Sequence, residues 1–456
     1  MKSVKRVLFL TPSVVGREMS AVGMRHFELA RALSTHHEVT LAVSRLEGEP
    51  PPGVKVVPIG TEAELSRLAK LCDVLIVQGD LLRRYPGFQP PDVPLVVDMA
   101  FPTLLEGLER PLNRNGNERG ADSHRDMIEY EGFLSTVNHL LRIGDFFLCA
   151  SERQRDLVLG MLLTLNRLNP RTHRDDPSFD GLVVVVPNGV PDEEPRSGEK
   201  GLREGVKGIR PRDTLLYWGG GIWPWLDPVI LVEAMAEIRK QRSDIKLFFA
   251  GTDHPSPDRS LAETARRTRQ KAREAGLEGN CIYFANWVPY QERGSFLLDA
   301  DIGVSAHRAT VETRFALRMR VMDYLWAGLP IITTEGDETA RLVREERIGE
   351  VVAPGDVKGW VSAILRLAGS TRMRRSYGDR SRQVGFGYRW SRVVSPLADF
   401  CRSPARAGDH RGVANRRGLL GEKIRRYGRR TLQLVAEGKF RDLLRGVRWK
   451  IRSRDW

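Results

Sequence analysis

Glu312, Arg314, Arg318, Arg320 and Asp323 crowd two carboxylates and three guanidinium groups into twelve residues. Val321, Met322, Tyr324, Leu325 and Trp326 surround them, an apolar setting that implies burial, and buried charges need partners or a ligand. The spacing puts Arg314 and Arg318 on one face if a single helix runs through both; Arg320 and Asp323 share another face, where they could also pair with each other. Guanidinium groups offer paired donors to phosphate oxygens, and a carboxylate one turn further on accepts from vicinal hydroxyls. Phosphates with a diol describe a nucleotide sugar. Upstream, Gly219, Gly220 and Gly221 end an apolar run, so backbone amides there can approach a diphosphate. Trp223 and Trp225 flank Pro224 and offer aromatic faces to a sugar or base, or wall a domain interface. His307 ends a strand beside the acidic loop, and Asp227 reads as a helix N-cap.

These residues need strand ends and helix starts to hold them. Asp301–Gly336 reads as strand (Ile302–Ser305), polar loop, helix, a stop at Gly328-Leu329-Pro330, and strand (Ile331–Thr334). Strands Thr214–Trp218, Ile245–Ala250, Cys281–Ala285 and Glu350–Val352 extend this pattern, with a helix at Asp227–Gln241. An earlier half repeats it. Its strands are Arg6–Leu10, Glu38–Val43, Lys55–Ile59, Asp73–Gln78, Leu95–Met99, Asp145–Ala150 and Leu182–Val186. Its helices are Val22–Leu33, Glu62–Leu71, Ser123–Arg142 and Ser151–Leu165, the last with Ser151 as N-cap. Pro187-Asn188-Gly189 closes this half, and a Tyr388–Phe400 helix closes the whole. The alternation predicts an α/β chain of two Rossmann-like domains, spanning 1–190 and 205–385, with a closing helix over 386–402 and a basic linker and tail over 403–456.

The 456 residues are too many for one ordinary core. Cys72, Cys149, Cys281 and Cys401 are scattered, against a disulfide framework or zinc site and in keeping with a reducing cytoplasm. The opening run MKSVKRVLFLTPSVVG breaks at Pro12 and reads as a first strand rather than a signal segment. No apolar run approaches the roughly 20 residues that span a bilayer. Net charge is +14, but residues 401–456 hold 17 Lys and Arg against 5 Asp and Glu, so the body carries only +2.

Arg320-Val321-Met322-Asp323-Tyr324-Leu325-Trp326-Ala327-Gly328-Leu329-Pro330 resembles the Lys/Arg-x-x-Glu-Tyr-x-x-x-Gly-x-Pro signature of family 4 glycosyltransferases, retaining enzymes of the GT-B fold. Val185–Val190 resembles the family's interdomain strand end, and Tyr388-Arg389-Trp390-Ser391 the start of its closing helix. Trp218–Trp223, Cys149–Gln154, Trp287–Tyr290 and Val311–Phe315 look like a bacterial branch associated with surface polysaccharides. The resemblance runs from about Lys5 to Cys401. It implies two domains facing a cleft, a nucleotide-sugar donor on the second, and a polysaccharide, glycolipid or lipid-linked acceptor on the first. Asp323 matches the acid that holds the donor ribose, and Glu312 the acid facing the donor sugar. The spacing between these two acids is longer than the family's, and the second is Asp rather than Glu. The family's Arg and Lys after the second domain's first strand are absent here, so Arg314, Arg318 or Arg320 is expected to carry the phosphate charge. Trp287 and Val288 stand where backbone contacts select the base. In the first domain the resemblance points to the loop Thr11–Met24, with Gly16 and Arg17 on the acceptor side. Asp98 ends a buried-looking strand and either orients the acceptor hydroxyl or caps the sheet.

No His/Asp cluster has metal-ligand spacing, so the expected transfer is metal-independent and needs no cofactor. His26 reads as a helix-surface histidine. In the tail, Phe440, Leu443, Leu444, Val447 and Ile451 recur at helical spacing beside Arg441, Arg445, Arg448 and Arg452, with Trp449 and Trp456. That pattern fits an anionic membrane surface or docking on the protein itself, and not nucleic acid. The expected location is cytoplasmic, peripheral on the inner face of the cell membrane. A GT-B nucleotide-sugar 2-epimerase and a non-catalytic sugar-binding relative are the alternatives.

Overall fold

The computed structural model describes residues 4–78, 82, 85, 87–109, 123–198, 201–253 and 262–409. The amphipathic pattern expected in the tail lies outside them. Among the described residues the first half forms a parallel sheet of β1 (Arg6–Gly16), β2 (Glu38–Glu47), β3 (Lys55–Pro58), β4 (Val74–Gln78), β5 (Leu95–Asp98), β6 (Phe146–Cys149) and β7 (Val183–Val185), in the order β3-β2-β1-β4-β5-β6-β7. Helices α1 (Ala21–Leu33), α2 (Glu62–Ala69), α3 (Thr103–Glu109), α4 (Ser123–Ile143), α5 (Glu152–Thr164) and α6 (Pro170–Asp175) cross over between strands. Covered on both faces, the central strands read as unbroken apolar runs, and β4, β5 and β6 are buried at every position.

The second half opens with α7 (Leu202–Gly205) and builds a sheet of β8 (Thr214–Trp218), β9 (Ile245–Phe249), β10 (Ile282–Phe284), β11 (Ile302–Ser305), β12 (Ile331–Thr334) and β13 (Gly349–Val352), ordered β10-β9-β8-β11-β12-β13 and parallel throughout. Its helices are α8 (Pro228–Arg239), α9 (Ala262–Glu274), α10 (Arg293–Asp299), α11 (Val311–Phe315), α12 (Met319–Ala327), α13 (Glu338–Glu345), α14 (Val357–Ala368) and α15 (Thr371–Gly387). Two Rossmann-like domains are therefore present, as the alternation predicts.

Three expectations need correction. The Thr11–Met24 loop is shorter, because β1 continues past a register shift and pairs Val14, Val15 and Gly16 with Arg45, Leu46 and Glu47 of a lengthened β2. The closing helix is two pieces, α16 (Trp390–Val393) and α17 (Ser395–Arg402), since Pro396 in the first turn of α17 lacks the N–H to continue a helix. His26 is wholly buried, edge-on to Phe9.

The closing segment returns to the first domain. Trp390, Val393, Val394, Leu397, Ala398 and Cys401 bury against Val7, Phe9, Leu29 and Leu41. The two crossings between domains pair with each other: Val190 N–H donates to Tyr388 O at 2.8 Å and Trp390 N–H to Val190 O at 3.0 Å. Beyond α17, Asp409 pairs with the buried Arg167 at 2.6 Å, and Ala407 N–H donates to Asp145 Oδ1.

Candidate functional site

The carboxyl ends of β8 and β11 face the start of α12. Tyr324 sits wholly buried on α12 because Gly303 of β11 has no side chain; a Cβ there would come within 2.4 Å of the ring. Its hydroxyl accepts from Gly219 N–H at 2.9 Å and lies 2.9 Å from the carbonyls of Tyr217 and Val304, to one of which it donates. One phenol thus ties both strand ends to the glycine loop. Gly220 turns this loop with φ of 67°, a conformation that favours glycine.

Arg320 reaches the same loop. Its Nη2 donates to Gly221 O at 2.7 Å, and its guanidinium lies 4.1 Å from the Trp218 ring centroid. It is 9% exposed, its Nη1 has no hydrogen-bond partner, and no carboxylate stands within 4 Å among the described residues. Burial lowers its pKa to about 10, and the neighbouring Arg318 charge pushes the same way. A buried cation without a counter-anion is costly unless a ligand supplies one.

Asp323, one turn on, does not pair with Arg320. It takes Arg293 Nε at 3.4 Å, and a fifth of its side chain stays exposed. Burial raises its pKa, and Arg293 offsets part of that. The arginine is fixed independently, stacked over Tyr290 at 3.8 Å and Trp326 at 4.9 Å, with Nη1 on Tyr290 O at 2.7 Å. Nothing in the sequence marks Arg293, thirty residues upstream on another helix.

Glu312 and Arg318 form a buried bidentate pair at 2.8 and 2.9 Å. Arg318 Nε also reaches Asp337 Oδ2 at 3.2 Å, and His307 Nε2 stands 3.3 Å from the same oxygen. Burial works to lower the Arg318 pKa, but Glu312 and Asp337 raise it above its ordinary value. Burial likewise works to raise Asp337, and His307, Arg318 and the Ala340 N–H bring it below the usual carboxylate range. Asp337 is readable in the sequence only as the N-cap of α13, which it also is. The single helix through Arg314 and Arg318 is not formed: α11 ends at Phe315, Ala316 is extended, and α12 starts at Met319. Arg314 is exposed beside the Phe315 ring, away from the buried pair.

Trp223 and Trp225 stack at 5.5 Å with planes 1° apart, and Trp223 packs on Gly221. Arg308 crosses between domains, its Nη2 3.2 Å from Glu109 on α3. Trp287 and Val288 are half-buried after β10, where Asn286 O accepts from Asp253 N–H. The chain's Asp299-Ala300-Asp301, an Asp-x-Asp sequence, lies at the opposite, amino end of β11. Asp301 Oδ2 accepts there from Arg203 and Leu215 N–H, and Asp299 Oδ2 from Arg203 N–H.

On the first domain, Asp98 is sealed. It accepts from Arg25 at 2.8 and 3.1 Å and from Ala100 N–H, with His26 Nε2 at 3.1 Å. Burial works to raise its pKa, but Arg25 and His26 hold it below the usual range. Arg25 also donates to Val186 O, Pro187 O and Asn188 Oδ1. Of its two predicted roles, orienting an acceptor hydroxyl or capping the sheet end, the second is the one these contacts resemble, since no part of the side chain is exposed. Arg25 was missed because a mid-helix arginine among apolar residues has no local signature. Gly16 is a strand residue against Glu47, and Arg17 is exposed, with its carbonyl taking Tyr290 N–H across the cleft at 2.8 Å.

Residues 212–370 match the family described as glycosyl transferases group 1. The chain is 25% identical over 221 residues to D-inositol 3-phosphate glycosyltransferase 2 of Catenulispora acidiphila, covering 48% of this chain and 50% of that protein. It is 24% identical over 214 residues to lipopolysaccharide 1,2-N-acetylglucosaminetransferase of Salmonella typhimurium, covering 46% and 54%. The chain thus spans about half the length of the curated relatives it matches. Among solved structures, WaaG, a glycosyltransferase involved in lipopolysaccharide biosynthesis, superposes with TM-score 0.59 at 14% identity, over 88% of this chain and all of that one. Anabaena HepE, solved with UDP-glucose, gives 0.62 at 11% over 88% and 100%. These structural likenesses establish the fold. Residues 212–370 are therefore similar in sequence to the group 1 glycosyl transferases, and the described residues adopt the two-domain GT-B fold.

Proposed function

We propose that the chain is a glycosyltransferase moving a sugar from a nucleotide-sugar donor, with retention, to a saccharide, glycolipid or lipid-linked acceptor. The observation that carries the reading is Arg320, a buried guanidinium with no carboxylate partner among the described residues, one Nη unbonded, beside the glycine loop. In this reading Arg320 takes the donor diphosphate, and Asp323 accepts from the ribose hydroxyls. Of the three arginines expected to serve phosphate, Arg318 is neutralised by Glu312 and Asp337 and Arg314 is exposed, so Arg320 is preferred. Glu312 stands on the sugar side, its charge shared with Arg318, and His307 and Trp223 line the same strand ends. The bond between the anomeric carbon and the diphosphate breaks. The acceptor oxygen bonds to that carbon on the same face, and its proton passes to the departing phosphate oxygen. Arg320 and the loop amides stabilise the charge that develops there, and the reading assigns no metal to the step. The group 1 match and the UDP-glucose held by a structural neighbour support a nucleotide-sugar donor; the lipopolysaccharide relatives support a saccharide or lipid-linked acceptor. For the basic tail we propose an anionic membrane surface.

The test is a thermal-shift screen of UDP-, GDP-, ADP- and dTDP-sugars, in which bound ligand raises Tm by mass action. Arg320→Met is expected to abolish the shift given by the binding donor while leaving unliganded Tm equal or higher, since a buried unpaired charge is removed. A ligand shift that survives in Arg320→Met overturns the assignment. Release of a new glycoside rather than an epimerised sugar nucleotide separates transfer from 2-epimerisation.

A further inference from the structure

The link between α11 and α12 presents consecutive backbone carbonyls that no helix satisfies. Arg314 and Phe315 end α11, Ala316 and Arg318 are extended on either side of Leu317, and Glu312 lies one turn back. Backbone carbonyls left without helix partners take other donors or water. Ala316 O takes its donor from the second domain itself, Glu338 N–H at 3.1 Å. The other three carbonyls are served from the first domain. Gln154 Nε2 donates to Phe315 O at 2.7 Å, Arg153 Nη1 to Arg314 O at 3.4 Å, and Asn188 Nδ2 to Leu317 O at 3.4 Å.

Gln154 is the strongest of the three, and its amide has no freedom. It is 2% exposed. Its Oε1 accepts from Ala150 N–H at 2.7 Å, and its second N–H goes to Ala100 O at 3.0 Å, just past β5. The bonds to two carbonyls fix which end of the amide is nitrogen. Its backbone N–H is in turn accepted by Ser151, the N-cap of α5, at 3.3 Å. Arg153 adds a second grip on the same region: its Nε lies 2.7 Å from Glu338 Oε1, and its Nη1 reaches Gly336 O at 3.4 Å. Gly336 and Glu338 flank Asp337, the other carboxylate on Arg318. The Ser-Glu-Arg-Gln turn of the first domain and the Glu-Thr-Arg-Phe turn of the second are thus matched halves of one contact.

We infer that Gln154, assisted by Arg153 and Asn188, is a positioning residue: across the cleft it holds the backbone link that sets Glu312 against Arg318, so the buried ion cluster keeps its shape only while the domains are closed. The role for transfer rests on the proposed reading of Glu312; the coupling itself does not. Domain opening withdraws the donors from three carbonyls together, and the link then relaxes toward water.

The experiment is hydrogen exchange with mass spectrometry on the full chain, comparing Gln154→Glu and Asn188→Ala with wild type. Gln154→Glu keeps the acceptor for Ala150 N–H and loses both donations. It is expected to speed exchange over residues 311–322 about tenfold while peptides of β5, β6 and α5 stay within about twofold. Asn188→Ala is expected to act in the same place more weakly. Unchanged exchange over 311–322, or an equal loss in the first-domain peptides, overturns the inference. With the donor identified by the screen, Gln154→Glu is expected to lower kcat about tenfold with donor KM within about twofold; an unchanged kcat refutes positioning for transfer. A wild-type chain that binds none of the four donor classes defeats the proposed function and leaves the exchange result standing.

Discussion

Asp98 and Asp337 are each buried against an arginine and a histidine, one in either domain, and each is held below the ordinary carboxylate range against the opposing effect of burial. A depressed folded-state value contributes stability that is fully present above the unfolded value of about 3.9 and is lost as pH falls through the folded value. Asp98→Asn removes that contribution and leaves Arg25 buried with carbonyls and an amide alone. It is expected to cost about 3–5 kcal/mol at neutral pH, as breaking a buried pair does. The deficit should begin to shrink below about pH 4, because the unfolded wild-type chain then takes up a proton that the folded Asp98 does not. Urea unfolding at pH 7 and pH 3.5 checks both parts, and an equal deficit at the two values would contradict the assignment. Asp323 has the opposite sign: burial raises it and Arg293 offsets only part of that, so its charged form is the less favoured one.

At the scale of elements, α12 was legible because its apolar face and its stop were both local. Gly328 takes the left-handed C-cap at φ 67° that Gly-Leu-Pro announces. The break before it was not legible, since the carbonyls of Phe315 and Leu317 take donors that arrive from residues more than a hundred positions away. The motif singles out Asp323 but not its partner Arg293, for the pairing depends on how α10 docks on α12. Likewise β1 runs to Gly16 only because β2 also lengthens beside it. The closing segment shows how far an element can serve a distant core. Trp390 is 2% exposed in the first domain's core, and Gly189 lies so close to its ring that a Cβ there would approach to 2.6 Å. Trp390→Ala is expected to cost about 3–5 kcal/mol, lowering Tm and weakening exchange protection in β1 and α1 before the second sheet. Loss confined to β8–β13 would show that the segment belongs to the other core.

On the scale of the whole molecule, the described chain ends at Asp409, clasped to Arg167. Arg167 also donates to Leu141 O and Gly144 O, beside the amino end of β6, whereas the candidate site lies at carboxyl strand ends. The described chain therefore ends on the side of the first sheet away from the cleft. Deleting residues 418–456 is expected to abolish co-sedimentation with anionic vesicles, and added salt should weaken binding of the full chain as screening predicts. Unchanged co-sedimentation of the deletion would refute a membrane role for the tail. The return of α16 and α17 to the first domain also sets an order of events during synthesis. A ribosome finishes the seven strands of the first sheet by Val185, yet the residues that complete its core begin at Trp390. At about 5–20 residues per second the chain between takes roughly 10–40 s to make. Through that interval one face of the nascent sheet is open, and the domain that is translated first is the last to be sealed.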